Sequence, residues 1–250
     1  MKKFGLIGYP LGHSFSKKYF TDKFRNEEMS GFSYENFPIS SITEFKSLIE
    51  SEPDLCGLNV TIPYKISILG FVDEISEEVL QIGAANVLKI NRDNNKIKIK
   101  AFNSDVFGFI DSITPFLPSK NQHAIILGSG GASKAINYGL KKLGYETLIV
   151  SRKRSSEKII YSDLTDNILQ QASVIVNATS LGMFPDIGGF PEINYSVLTN
   201  NHILYDLVYN PEMTSFLKKG KDQGCTIISG IKMLHFQAEK SWEIWNHNSK

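Results

Sequence analysis

A glycine-rich segment in the second half of the chain has the residues of a phosphate-binding loop. It reads Ala124-Ile-Ile-Leu-Gly128-Ser-Gly130-Gly-Ala-Ser133, so the glycines directly follow an apolar run and precede a predicted helix. Gly128 allows a tight turn, Gly130 lets the backbone approach a pyrophosphate, and the amides that begin the helix present positive partial charge. Ser133 replaces the third glycine of the usual GxGxxG pattern. An ordinary glycine-rich turn is the alternative, but the strand and helix on either side favour a dinucleotide site.

The residues after the next predicted strand indicate which dinucleotide is bound. That strand ends at Val150, and Ser151-Arg152-Lys153-Arg154 follow where an NAD-binding enzyme usually carries an acidic residue. A carboxylate repels the 2′-phosphate of NADP, whereas a guanidinium can bind it through two hydrogen bonds. A solvated basic loop is the alternative reading of such a run. Arg152 comes 24 residues after Gly128, and this spacing favours NADP.

Polar residues in the first half of the chain follow predicted strands. Ser14 and Ser16 lie between the first strand and a predicted helix, where two hydroxyls could bind an anion or one could simply cap the helix. Further on, Pro63 is predicted to start a helix with Lys65 near its first turn. The helix dipole disfavours an ammonium there unless a carboxylate or substrate compensates for it. A solvated surface lysine is the alternative.

Two more polar residues each have a functional and a structural interpretation. Asp105, in Asn103-Ser-Asp105, is a candidate partner for Lys65, or it caps the helix that follows. Asn86, after Gly83-Ala-Ala, is either a functional amide or a turn residue. Both alternatives stay open at this point.

The elements that must position these residues alternate along the whole chain. Short apolar runs separated by amphipathic stretches predict an α/β protein with a largely parallel sheet. The predicted strands are Lys3 to Ile7, Tyr34 to Pro38, Cys56 to Thr61, Ala124 to Leu127, Thr147 to Val150, Val174 to Asn177 and Ile203 to Leu207. A β-hairpin is predicted where Asn86 to Asn91 and Lys96 to Ala101 flank a polar turn. Helices are expected over Asp105 to Leu117 and Gly230 to Asn246.

We predict two domains in this order. Residues 1–105 form one unit, and residues 106–229 form a second, Rossmann-type unit that contains the glycine loop. The final helix follows the second unit.

Composition excludes several classes of partner. The chain has 250 residues, and 27 basic residues against 26 acidic ones give a net charge of +1, too small a field to attract nucleic acid or an anionic membrane. No apolar run approaches the length of about 18 residues that a membrane helix needs. Two cysteines outside any CxxC pair and five scattered histidines indicate no metal site. We expect a cytoplasmic protein, monomer or homodimer, with a small-molecule partner.

An ordered series of motifs identifies a family. From Gly8 to Gln237 the chain resembles the shikimate dehydrogenases of the shikimate/quinate dehydrogenase family. The motifs are Ser14-Phe-Ser16, Asn59-Val-Thr61-Ile-Pro63-Tyr-Lys65, Gly83-Ala-Ala-Asn86, Asn103-Ser-Asp105, Gly128-Ser-Gly130-Gly131-Ala132, Asn177-Ala-Thr179-Ser-Leu-Gly182-Met183, Asp206-Leu-Val-Tyr209-Asn-Pro211 and Gly230-Ile-Lys-Met-Leu-His-Phe-Gln237.

The resemblance implies the reversible, NADPH-dependent reduction of 3-dehydroshikimate to shikimate, on the route to chorismate and the aromatic amino acids. It implies an N-terminal substrate domain and a Rossmann NADP domain with the active site in the cleft between them, and residues 230–250 packing back on the first domain. Lys65 is the implied acid/base, with Asp105 beside it. The implied substrate residues are Ser14, Ser16, Thr61, Asn86, Asp105, Tyr209 and Gln237. The implied cofactor residues are Gly128, Gly130, Gly131, Ala132, Ser151, Arg152, Lys153, Thr179, Met183, Val208 and Gly230.

The chain departs from the family pattern at a few neighbours of these residues: Lys17 and Lys18 follow Ser16, Val87 follows Asn86, and Ser104 precedes Asp105. The sequence leaves two alternative functions. An NAD-using quinate/shikimate dehydrogenase is disfavoured by Arg152, and a catalytically silent dinucleotide sensor is disfavoured by the presence of both Lys65 and Asp105.

Overall fold

The computed structural model describes residues 1–12, 15–93, 96–119 and 122–247. The strands are β1 (Lys2–Gly8), β2 (Phe32–Pro38), β3 (Leu55–Val60), β4 (Glu74–Ile75), β5 (Val87–Asp93), β6 (Lys96–Phe102), β7 (His123–Leu127), β8 (Glu146–Ser151), β9 (Lys158–Ile160), β10 (Val174–Asn177), β11 (Ile203–Asp206) and β12 (Thr226–Ser229). The α-helices are α1 (Phe15–Asn26), α2 (Phe45–Ser51), α3 (Glu77–Ile82), α4 (Asp105–Ile113), α5 (Gly131–Lys142), α6 (Asp166–Gln171), α7 (Ser215–Asp222) and α8 (Ile231–Asn246). None of these described helices is long and apolar enough to cross a membrane.

The chain divides into two compact units. Unit 1 comprises residues 1–104 and the residues from 238 onward, and unit 2 comprises residues 105–237. The second boundary therefore falls inside α8 rather than at the predicted residue 229, because the first turns of α8 pack with unit 2, where Met233 is part of the apolar core. The assignment of substrate to one domain and cofactor to the other stays a prediction.

Unit 1 is built on a mixed six-stranded sheet with the order β2-β1-β3-β5-β6-β4. Strand β1 pairs in parallel with β2 and β3, whereas β5 pairs antiparallel with both β3 and β6. The predicted β-hairpin is confirmed, and the two central residues of its turn, Asn94 and Asn95, lie outside the described residues. The hairpin lets β3, β5 and β6 bring their ends to a common edge.

The end of α8 packs on unit 1 through aromatic side chains. The ring of Trp245 stacks on Phe4 at 4.7 Å between centroids, and its Nε1 donates to the Leu88 carbonyl at 3.0 Å. A Cβ at Gly57 would lie 2.4 Å from that Nε1, so glycine is needed there for the close approach. Burying aromatic rings is a major stabilising contribution in a domain of this size.

Unit 2 has a fully parallel six-stranded sheet with the order β12-β11-β10-β7-β8-β9. Counted from β7, this is the order 3-2-1-4-5-6 of the doubly wound dinucleotide-binding fold. Two apolar cores cover its faces, one centred on Ile126 and Tyr205 and one on Ile125 and Phe216. The predicted α/β fold with a Rossmann-type unit is confirmed.

The seven predicted strands coincide with observed ones, with ends that differ by at most two residues. Strands β4, β9 and β12 were not predicted; β4 and β9 have only two and three residues, too few for a pattern. The helix predicted to start at Pro63 is wrong. Instead, Tyr64 N–H bonds the Thr61 carbonyl in a turn, and a 3-10 helix begins only at Ser67.

Candidate functional site

One edge of the unit 1 sheet gathers residues predicted to bind substrate. Strands β1, β3 and β6 end there and β5 begins there, because Val87 pairs with both Asn59 and Phe102 and Ile7 pairs with Val60. Thr61 directly follows β3, Asn86 directly precedes β5, and Lys65 lies in the turn after β3. Ser16 lies in the first turn of α1, the helix that follows β1. Ser14 lies outside the described residues.

The turn that carries Lys65 is fastened to the strand ends by backbone hydrogen bonds. The Thr61 amide donates to the Ile7 carbonyl at 2.9 Å, and the Lys65 carbonyl accepts the Ala85 amide at 2.8 Å. A Cβ at Gly8 would lie 2.4 Å from Thr61 Cγ2, so the end of β1 touches this turn directly. Lys65 is half-buried and is therefore not a freely solvated surface lysine.

A buried hydrogen-bond network lies beneath this edge; we call it the unit 1 network. The Tyr34 hydroxyl donates to Asn59 Oδ1 at 2.8 Å, and Asn59 Nδ2 donates to Ser241 Oγ at 3.0 Å. Ser241 Oγ bonds Ser104 Oγ at 3.0 Å, and Ser104 Oγ accepts from Asn86 Nδ2 at 3.0 Å. All five side chains are buried. The network therefore joins β2, β3, α8 and the end of β6 to Asn86.

Ser16 connects to the same network at its other end. Burial raises the pKa of the Tyr34 phenol, and a hydrogen bond with Ser16 partly opposes that rise. The Asn86 side chain is doubly fixed, because its Oδ1 also accepts the Ser104 amide at 2.6 Å. The two predicted contact residues Ser16 and Asn86 are thus held by one continuous set of hydrogen bonds.

The other predicted substrate residues belong to unit 2. Asp105 is buried at the first position of α4, and Gln237 is buried on α8 with its Nε2 donating to the Leu234 carbonyl at 2.9 Å. The two helices touch, since a Cβ at Gly108 would lie 3.0 Å from the Gln237 amide. Tyr209 follows β11, and burial raises the pKa of its phenol.

The glycine loop joins β7 to α5 and has the geometry expected of a phosphate-binding loop. Gly128 has φ +119°, and a Cβ there would lie 2.8 Å from the Ala178 carbonyl, so only glycine fits. Gly130 is the N-cap of α5 and the space where its Cβ would project is open. Ser133 Oγ donates to the Gly128 carbonyl at 2.7 Å, which explains why serine serves at the third position. The amides at the start of the 12-residue helix α5 can therefore bind a pyrophosphate.

The basic loop after β8 leaves one arginine available for a phosphate. Ser151 is buried and its Oγ bonds the backbone of Lys153, which holds the loop in a turn. Arg154 pairs with Asp163 at 2.6 Å, whereas no carboxylate pairs with Arg152 in the part of the chain that the structure describes. Arg152 lies near Tyr161, where its charge opposes the rise that burial causes in the pKa of the phenol.

The remaining predicted cofactor residues lie at the carboxyl edge of the unit 2 sheet. Thr179 follows β10 and Val208 follows β11, and these strands are neighbours. Gly230 follows β12 and packs so closely on β11 that a Cβ would lie 2.6 Å from the Leu207 carbonyl. Met183 lies on the exposed loop after Thr179. In open α/β sheets this edge is where dinucleotides bind.

Comparison with known proteins identifies the family of this chain. The family described as the shikimate dehydrogenase substrate binding domain matches residues 6–88. The shikimate dehydrogenase (NADP(+)) of Caldicellulosiruptor saccharolyticus is 34% identical over 266 residues, covering 98% of this chain and 92% of that protein. This chain belongs to the shikimate dehydrogenase family.

Solved shikimate dehydrogenases share the whole fold. Shikimate dehydrogenase 1 of Peptoclostridium difficile is 33% identical with a TM-score of 0.82, covering 100% of this chain and 93% of that one. Shikimate 5-dehydrogenase of Thermus thermophilus, solved in complex with NADP(H) and shikimate, is 26% identical with a TM-score of 0.85, covering 98% of this chain and 94% of that one. The predicted resemblance to the shikimate dehydrogenases is confirmed, and it extends over 98% of this chain or more.

Sequence reasoning did not assign roles to several polar residues of this chain. Tyr34 and Ser241 were missed because their partners are distant in sequence and no local pattern marks them. Asn177 and Asp206 stand in the family motifs, and their burial at strand ends was the available signal. No group of three or more His, Cys, Asp or Glu side chains that could hold a metal ion occurs among the described residues.

Proposed function

We propose that this member of the shikimate dehydrogenase family catalyses the reversible, NADPH-dependent reduction of 3-dehydroshikimate to shikimate. The observation that carries the proposal is the sheet edge of unit 1, where Thr61, Lys65 and Asn86 lie together in a chain of this family. Both cysteines are free thiols, which fits the proposed cytoplasmic location. We propose that the enzyme is a monomer or a homodimer.

The substrate residues suit a monoanionic polyol. The hydroxyls of Ser14 and Ser16 bind the carboxylate, and they do so without the fixed charge of an arginine, which suits reversible binding. The ring hydroxyls are bound by the side chains of Thr61, Asn86, Asp105 and Gln237, with Tyr209 nearby. Because Asn86 is held on both sides by Ser104, it can present its amide without losing side-chain entropy on binding.

Lys65 acts as the acid and base of the reaction. When bound, NADPH supplies the hydride that adds to the C3 carbonyl carbon. Negative charge develops on the carbonyl oxygen, and the Lys65 ammonium stabilises this charge and donates a proton to the oxygen. In the reverse direction the neutral Lys65 amine accepts the C3 hydroxyl proton. Asp105 is the second catalytic residue of this proposal.

The residues of unit 2 would hold NADP rather than NAD. The amides of Gly130, Gly131 and Ala132 bind the pyrophosphate at the start of α5. Arg152, with Ser151 and Lys153, binds the 2′-phosphate, and the availability of Arg152 supports this role. The rest of the dinucleotide is lined by Thr179, Met183, Val208 and Gly230.

The test is an initial-rate comparison of four combinations, shikimate or quinate with NADP or NAD, using the purified full chain. We expect shikimate with NADP to give the highest kcat/KM, because Arg152 favours the 2′-phosphate and no acidic residue takes its place. Turnover of quinate with NAD as fast as shikimate with NADP would favour the NAD-using alternative. Absence of turnover with tight NADP binding would favour a silent sensor.

A further inference from the structure

The last residues of two adjacent strands in unit 2 form a buried polar pair. Asn177 ends β10 and Asp206 ends β11, and the two face each other in the register of the parallel pair. Neither side chain has any exposed surface. Asn177 Nδ2 donates to Asp206 Oδ1 at 2.9 Å. A carboxylate without solvent is costly unless its hydrogen bonds compensate, so this pair calls for a functional explanation.

Asp206 fastens the loop that follows β11. Its Oδ1 accepts the Val208 amide at 2.9 Å, and its Oδ2 accepts the Thr214 hydroxyl at 2.6 Å. Thr214 in turn caps α7, accepting the Leu217 amide at 3.3 Å. The carboxylate therefore holds both ends of residues 207–214.

Asn177 fastens the loop that follows β10. Its Oδ1 accepts from both the amide and the hydroxyl of Thr179, at 3.1 and 2.6 Å. Its Nδ2 also donates to the Leu181 carbonyl at 3.3 Å. The amide therefore holds residues 178–181, and its bond to Asp206 ties this loop to the one after β11.

We propose that Asp206 is a positioning residue for binding of NADP: it sets the loop bearing Val208 directly and the loop bearing Thr179 through Asn177. This inference rests on the proposed function, which places NADP against those two residues. Asp206 itself makes no contact with the ligand in this proposal. An ionised carboxylate accepts stronger hydrogen bonds than a neutral group, so its charge is what keeps both loops fixed.

Protonation of Asp206 weakens this arrangement within an accessible pH range. Burial raises the pKa of the Asp206 carboxyl to about 6, against the lowering effect of its hydrogen bonds with Thr214, Val208 and Asn177. The Tyr195 phenol is a titratable neighbour of Asp206, and its pKa is raised mainly by burial and partly by the Asp206 charge. The carboxylate is thus ionised at pH 8 and largely protonated at pH 5.

The experiment measures the Kd of NADP by titration calorimetry for wild type, Asp206→Asn and Asp206→Ala. Asp206→Asn is nearly isosteric and mimics the protonated carboxyl. We expect its Kd at pH 8 to rise about tenfold, equivalent to about 1.4 kcal/mol and to the weakening of a charge-assisted hydrogen bond. Asp206→Ala is expected to raise the Kd further. If Asp206→Ala does not fold, the Kd of NADP for Asp206→Asn alone tests the proposal.

Tyr205→Phe is the matched control. Tyr205 precedes Asp206 on β11, is equally buried, and its hydroxyl bonds Ser112 at 2.6 Å. Its loss removes a buried hydrogen bond from the same strand without touching either loop. We expect Tyr205→Phe to lower thermal stability and to leave the Kd of NADP unchanged.

The pH dependence separates positioning from a merely structural role. The ratio of Kd between Asp206→Asn and wild type should fall from about ten at pH 8 toward one at pH 5, because wild-type Asp206 becomes neutral. The 2′-phosphate of NADP also titrates, but its effect cancels in the ratio. A ratio of one at pH 8, or the same ratio at both pH values, would overturn the proposal. Absence of NADP binding by wild type would instead overturn the proposed function.

Discussion

Removal of one hydroxyl, Ser241→Ala, tests whether the unit 1 network positions the substrate residues. Ser241 lies on α8, more than a hundred residues from its partners, and has no exposed surface. Its Oγ makes hydrogen bonds of 3.0 Å with Asn59 Nδ2 and Ser104 Oγ. The alanine variant removes both bonds while leaving the substrate-contacting atoms in the chain.

The expected loss of stability follows from these two bonds. A buried polar group that loses its partner costs about 1 to 3 kcal/mol. Asn59 Nδ2 keeps a weaker bond to the Asn86 carbonyl at 3.3 Å, and Ser104 keeps its bond to Asn86. The loss of stability from each of these two partners should therefore lie near the lower end of that range. We expect a total of about 2 to 3 kcal/mol and a decrease in Tm of about 5 to 10 °C.

The kinetic effect should be confined to the substrate. Loss of one well-placed hydrogen bond to a ring hydroxyl, at about 0.7 to 1.4 kcal/mol, raises the KM for shikimate about three- to tenfold. The proposed function assigns NADP to unit 2, so the Kd of NADP should not change when the network of unit 1 is altered.

Ser112→Ala is the matched control in unit 2. Ser112 is also buried, and its Oγ makes two bonds, with Phe109 O at 2.9 Å and with the Tyr205 hydroxyl at 2.6 Å. The control should show a similar decrease in Tm with an unchanged KM for shikimate. Equal losses of stability in the two variants, with an unchanged KM for shikimate in both, would show that the unit 1 network does not position the substrate residues.

Three further variants test other parts of the structure. Arg152→Ala should raise the Kd of NADP about tenfold and that of NAD less than about twofold, and an equal loss for both would show that Arg152 does not bind the 2′-phosphate. Gly57→Ala places a Cβ 2.4 Å from Trp245 Nε1 and should lower the free energy of unfolding by about 2 to 4 kcal/mol in denaturant titrations; a change below about 1 kcal/mol would contradict that packing. Burial raises the pKa of Asp206 from 3.8 to about 6. The folded wild type therefore loses about 3 kcal/mol of its free energy of unfolding when Asp206 ionises, and this loss develops as pH rises from about 4 to 6. The free energy of unfolding of Asp206→Asn relative to wild type should therefore rise by up to about 3 kcal/mol between pH 4 and 7, and a flat difference would show that Asp206 ionises normally.

Local sequence patterns predicted the parts of the structure that depend on local physics. The glycine loop was predictable because glycine permits the positive φ found at position 128 and leaves the space at the N-cap position 130 open. Apolar runs located the longer strands because burial on both faces of a parallel sheet demands them. The two-residue strand β4 has no such pattern.

Tertiary hydrogen bonds account for what the sequence did not reveal. Lys65 was predicted as a candidate for catalysis, but the turn that holds it depends on contacts with Ile7 and Ala85 from other parts of the unit 1 sheet edge. No local pattern distinguishes Ser241 from other serines of helices, because its hydrogen bond with Asn59 forms only in the folded chain. Such partners are set by the packing of whole elements, which no short motif records.

The most direct test of the account is the kcat of Lys65→Ala for oxidation of shikimate by NADP. Lys46→Ala, which removes an exposed lysine of the same unit, serves as the control. General acid–base catalysis contributes about 10²- to 10⁴-fold, so kcat should fall by that factor in Lys65→Ala and stay at the wild-type value in the control. A Lys65→Ala enzyme that keeps kcat within a few fold of wild type would contradict the assignment of Lys65 as the acid and base.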